Sequence, residues 1–100
     1  LYDSLFVDAK IAVMTPGNTN VGTTSVVIAP ANAKRLYFGV FHDGDSSPIF
    51  LGIGTTAINL KGVRLGIGGG YEFNAINLVT ATLSAVGQVP SQNLAWVEGT

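Results

Sequence analysis

Short runs of alternating or wholly apolar residues, separated by clusters of Gly, Pro, Asn and Ser, fill most of this chain, and no window from Thr15 onward sustains a helical face. Tyr71, Phe73 and Ala75 alternate with Glu72 and Asn74, the period-2 signature of a half-buried strand. In Lys34 to His42, Leu36, Phe38 and Val40 point one way while Tyr37 and Phe41 point the other, so both faces are apolar and both need cover. Thr24 to Ala29 is a β-branched strand stopped at Pro30, and Ile49 to Ile53 returns from a hairpin tip at Asp43 to Pro48. A short segment at Thr56 to Leu60, then Gly62 to Leu65, Leu78 to Val86 and Asn93 to Glu98 complete the set. About seven short strands, spaced by about 8 to 12 residues, predict an all-β chain folded as an antiparallel β-sandwich or a small barrel.

The beginning differs. Leu1, Leu5, Phe6 and Ala9 could share one helical face or lie extended, and Thr15 to Gly22 reads as a loop. Residues 1–22 are therefore expected as an N-terminal arm and loop, and residues 23–100 as the β-sandwich domain. Leu1, Leu5, Phe6, Ile11 and Val13 are too apolar for an idle terminus, so the arm is read as partner-binding, pairing with a neighbour's open sheet edge. The sequence starts at Leu1, Tyr2, Asp3 rather than at methionine, so processing or a missing first stretch is expected, and no signal-peptide pattern is visible.

Composition sharpens the partner argument. Apolar residues make up 47% of the 100 residues and charged ones 11%, where ordinary domains carry about 25% charged residues. The mean hydropathy is +0.42. A small domain has proportionally more surface to solvate, so this imbalance predicts that neighbours cover part of it, including further copies of the chain. Charges are scattered singly with a net of −1, which leaves no basic face for nucleic acid. No run of 18 apolar residues occurs, so no membrane-spanning helix is expected. Cysteine is absent, which removes disulfides and thiolate metal sites.

Candidate chemistry is sparse. His42, Asp43 and Asp45 could in principle ligate a cation, but Asp and Gly are what a hairpin tip prefers, so a solvated turn and no metal are expected. The glycines from Gly66 to Gly70 precede a strand, not the helix that a phosphate-cradling loop must open. With one His and no Cys, no nucleophile constellation emerges, and the reading is of a protein without catalytic residues, cofactor or small-molecule substrate. Tyr37, Phe41, Tyr71 and Trp96 could form a sugar-stacking platform, although core packing explains them equally well. Among the charges, Arg35 and Arg64 suit a partner's acidic patch best, because guanidinium tolerates partial desolvation. Tyr37 and Phe41 join them as expected contact residues.

The strand start Ala33, Lys34, Arg35, the glycines Gly52 and Gly54, the run Lys61 to Leu65, the cluster Gly68 to Gly70 with Tyr71 and Glu72, and the strand ending at Ala85 and Val86 together resemble the small β-sandwich virion proteins of tailed bacteriophages. The resemblance spans roughly residues 24 to 98 and consists of turn glycines and strand residues. It implies a head decoration, or cement, protein on the outer surface of the capsid, binding the major capsid protein and often oligomeric. A carbohydrate- or receptor-binding module of a fibre or tail tip is the alternative reading.

Overall fold

A computed structural model describes residues 11–100. Eight strands follow one another: β1 (Met14–Val21), β2 (Val26–Ala29), β3 (Tyr37–His42), β4 (Ile49–Ile53), β5 (Val63–Leu65), β6 (Gly70–Phe73), β7 (Leu83–Gly87) and β8 (Gln92–Gly99). They form two four-stranded antiparallel sheets, β1-β8-β3-β6 and β2-β7-β4-β5. Two separate sheets make this a sandwich rather than a closed barrel, and no helix occurs among the described residues. The first strand pairs with the last, the second with the seventh, the third with the sixth and the fourth with the fifth. That nesting is one long hairpin rolled up on itself, the jelly-roll arrangement.

β1 corrects the sequence reading, which placed Thr15 to Gly22 in a loop. Its sequence, MTPGNTNV, is polar and glycine-containing, yet Met14 to Val21 pair residue for residue with Gly99 to Gln92. An edge strand needs only one partner and can leave its outer side wet, so it carries little hydrophobic signal. Val13 and Thr100 exchange both backbone hydrogen bonds, at 3.2 and 2.9 Å. By alternation, Thr15 and Gly17 also turn their N–H groups toward β8 and Pro16 faces outward, where its missing donor costs nothing and blunts the open edge. The strand expected from Leu78 begins instead at Leu83, because the carbonyls of Val79 and Ala81 are taken by the Arg35 side chain rather than by a ladder.

The core lies between the sheets. Phe38, Val40, Phe73 and Leu94 from one sheet meet Ile49, Leu51, Leu65, Leu83 and Ala85 from the other, all essentially fully buried. Trp96 stacks on Phe38 with ring centroids 5.7 Å apart and donates its indole N–H to Thr19 Oγ1 at 3.2 Å. Its six-membered ring lies directly on Gly17, where any Cβ would collide with it. A smaller apolar cluster of Phe50, Ala57 and Val86 sits outside the second sheet. The connection 54–62 creates it by folding back over that face, where Ala57 N–H donates to Ser25 Oγ at 3.0 Å.

Candidate interaction surfaces

Arg35 was expected at a partner surface and is instead 1% exposed. Its Nε donates to Glu98 at 2.8 Å, Nη1 to the carbonyls of Val79 and Ala81 at 2.9 Å each, and Nη2 to Pro30 O at 2.8 Å. The guanidinium also lies 5.3 Å from the centroid of Phe38. One planar fork thus fastens the end of β2, the connection before β7 and the last strand, a task that needs several donors in fixed directions. Buried, with four of its five N–H donors engaged within the chain, Arg35 does not face a partner surface.

His42 is likewise interior. Gly44 N–H donates to Nδ1 at 3.0 Å, which makes that nitrogen the acceptor and places the proton on Nε2, 2.6 Å from Ser47 O. Buried Gln92 accepts from Ser47 N–H at 3.1 Å. The turn from Asp43 to Pro48 is therefore tied down by both side chains, and both imidazole nitrogens are committed to it. Among the described residues no three His, Cys, Asp or Glu side chains gather as a metal site.

Two surface regions stand out. The connection 54–62, which folds over the outer side of the second sheet, exposes Ile58 at 53% and Leu60 at 72%, and Ile53 at the end of β4 is 40% exposed. Beneath lies a pocket of about 200 Å³ lined by Leu51, Ile53, Ile58, Val63 and the stem of Lys61 among others. The loop's shape is fixed by backbone: Gly62, at φ +84°, passes so close to Leu51 O that no side chain would fit, and Leu60 itself adopts φ +67°. Sequence inspection did not single out Ile58 and Leu60; two bulky apolar residues within the turn Ile58 to Gly62 were the available signal.

The second region is the outer face of the first sheet at its β3–β6 margin. Tyr37, Gly39 and Phe41 point outward there beside Glu72 and Gly70. Tyr37 leans over Gly39 and donates its hydroxyl to Glu72 at 2.7 Å. That bond, followed by partial burial and the carboxylate's negative charge, raises the phenol's pKa above 10.0. Phe41 lies over Gly70 and remains 49% exposed, whereas Tyr71, paired with buried Val40, turns to the opposite, core-side face at the edge of the sheet, 39% exposed with its ring 5.0 Å from that of Phe73. Phe41, Tyr71, Glu72, Gly68 and Gly70 line an open cleft of about 400 Å³. Sequence analysis named the aromatics of this cleft but not Glu72, whose place beside Tyr37 arises from pairing of distant strands. Trp96, offered with them as a stacking platform, faces the core.

Of the other expected contact residues, Leu1, Leu5 and Phe6 lie outside the described residues. Ile11 is half-buried against Gly99, Val13 is exposed, and Arg64 projects from β5 into solvent. They do not form one site: Arg64 belongs to the second sheet and Tyr37 and Phe41 to the first.

No family model matches the chain, and no curated protein is similar to it in sequence. A solved structure described as "Bacillus endospore appendages form a novel family of disulfide-linked pili" superposes with a TM-score of 0.58 at 12% identity, over 88% of this chain and 85% of that one. At that identity the likeness concerns the fold: the chain shares its β-sandwich with a pilus protein.

Proposed function

We propose that the chain is a non-enzymatic structural subunit acting through protein–protein contact and, more narrowly, a decoration protein on the outer surface of a phage capsid, bound to the major capsid protein and to copies of itself. The observation that carries this reading is the apolar surplus left outside after folding, part of it at the connection 54–62, where Ile53 and Ile58 line an apolar pocket and Leu60 of the same connection is exposed. Surface patches of this kind mark contact sites in soluble proteins. The pilus protein with the same fold supports assembly as a use of such a sandwich, by analogy of fold alone. That protein is described as disulfide-linked; these 100 residues contain no cysteine and cannot form such a link.

Capsids lacking the protein, mixed with purified chain, provide the test. The wild type is expected to co-sediment saturably and to raise the temperature at which the capsids rupture. An Ile58→Asp/Leu60→Asp variant, changed only at exposed positions, is expected to fold and to stay in the supernatant. Equal co-sedimentation of both proteins, or none by the wild type, refutes the reading.

A further inference from the structure

We propose that the apolar pocket beside the connection 54–62 receives Ile76 of a second copy of this chain, two copies docking end to end about a two-fold axis with each Ile76 in the other's pocket. Among the described residues Ile76 is the most exposed large apolar side chain, at 91%. Its turn is nonetheless fixed. Ile76 N–H donates to Asn74 Oδ1 at 3.0 Å, Asn74 N–H to Asn77 Oδ1 at 2.7 Å, and Asn77 Nδ2 to Glu72 O at 3.1 Å. Two asparagines thus hold a β-branched residue, stiff at χ1, out in water where turns ordinarily carry small or polar residues. A knob held this way loses little freedom on docking.

The pocket matches the knob in size and charge. At about 200 Å³ it is smaller than the roughly 300–1,000 Å³ of small-molecule sites, and Leu51, Ile53, Ile58 and Val63 make it a socket for one branched aliphatic side chain. Exposed Lys61 borders it, and exposed Glu72 stands near the end of β6 that leads into the knob. Among the described residues the one ion pair, Arg35 with Glu98, uses neither, so docking brings an unpaired cation toward an unpaired anion. Knob and socket also share one end of the sandwich. Ile53 ends β4 opposite Leu83, where β7 begins, and Gly54 N–H donates to Thr82 O at 2.7 Å, which puts the connections 54–62 and 74–82 side by side. A two-fold pair makes the same contact twice across such an end. A different protein would have to bring its own knob, whereas this chain already displays one. The inference rests on the proposed contact between copies and names the residues that make it.

Sedimentation velocity of the full chain over a concentration series, without capsids, is the test, and a monomer–dimer equilibrium is expected. Ile76→Ser and Ile58→Asp, both at exposed positions, are expected to unfold as the wild type does and each to weaken the dimer about a hundredfold, tenfold for each seated isoleucine lost. An equimolar mixture of the two restores one knob in one intact pocket and is expected to recover about tenfold. Lys61→Glu and Glu72→Lys should each weaken the dimer, and both together in one chain should restore it; this pair leaves every apolar residue in place and carries the test should Ile58→Asp not fold. A wild type still monomeric at about 1 mM, growth beyond the dimer, an Ile76→Ser variant that dimerises like the wild type, or charge reversals that do not cancel overturns the proposal. Dimerisation through Ile76 without capsid binding sinks the preceding proposal alone, and capsid binding with a dimer indifferent to Ile76 sinks this one alone.

Discussion

Replacing Arg35 by methionine keeps much of the side chain's length and apolar stem while deleting every donor of its fork. Four hydrogen bonds disappear, one of them the 2.8 Å pair with Glu98, whose side chain is 20% exposed. Stripping one partner from a buried pair costs about 3–5 kcal/mol, because the remaining charge keeps its desolvation penalty without its counter-ion. The three orphaned carbonyls add to this wherever water cannot reach them. Folded domains are stable by only about 5–15 kcal/mol in total, so urea unfolding of Arg35→Met should show a loss of about a fifth or more of the stability with an unchanged m-value. Arg35→Met/Glu98→Leu should lose less than the sum of its single changes, since the second substitution removes the stranded carboxylate. An arginine waiting for a partner would behave otherwise: its replacement would shift the stability of the isolated chain by no more than about 0.5 kcal/mol. A measured loss below about 1 kcal/mol for Arg35→Met would refute the clasp and return Arg35 to the surface role its sequence context suggested.

The Tyr37 phenol titrates above its ordinary 10.0, so spectrophotometric titration should show one late ionisation, absent in Tyr37→Phe and returned toward the ordinary value in Glu72→Gln. Because the folded-state pKa is raised, the stabilising contribution is complete below about pH 10 and fades as pH climbs through the folded value; neutral-pH stability changes attributable to this ionisation are not expected. Gly17→Ala drives a methyl into the Trp96 ring and should cost about 1–3 kcal/mol with a change in tryptophan fluorescence; an unaltered spectrum and unfolding midpoint would show that the ring is free to move. Ile58→Asp/Leu60→Asp should leave unfolding within about 0.5 kcal/mol of wild type, since both side chains already face solvent; marked destabilisation would mean that they support the fold.

What the amino-acid order determined by itself was the class of structure. The strand around Tyr71 to Phe73 and the one ending at His42 are local, and a strand's period of two residues can be read from any short window. The turn from Asp43 to Pro48 was equally legible, but β3 and β4 lie in different sheets, so it is a crossing between sheets and not the expected hairpin tip. The excess of apolar over charged residues announced exposed apolar surface in the same way, without saying where it would lie. Tertiary structure alone decided the rest. Met14 to Val21 became a strand because Gln92 to Gly99 offered it a ladder, not because its own residues favour one. Arg35 became a clasp because Glu98, 63 positions later, returns beside it. Glu72 met Tyr37, and Phe41 met Gly70, only once β6 had paired with β3. Hydrophobic periodicity is a property of neighbours along the chain, whereas a charge's partner and an edge strand's ladder are chosen by residues far away in sequence, and only the folded arrangement brings those together.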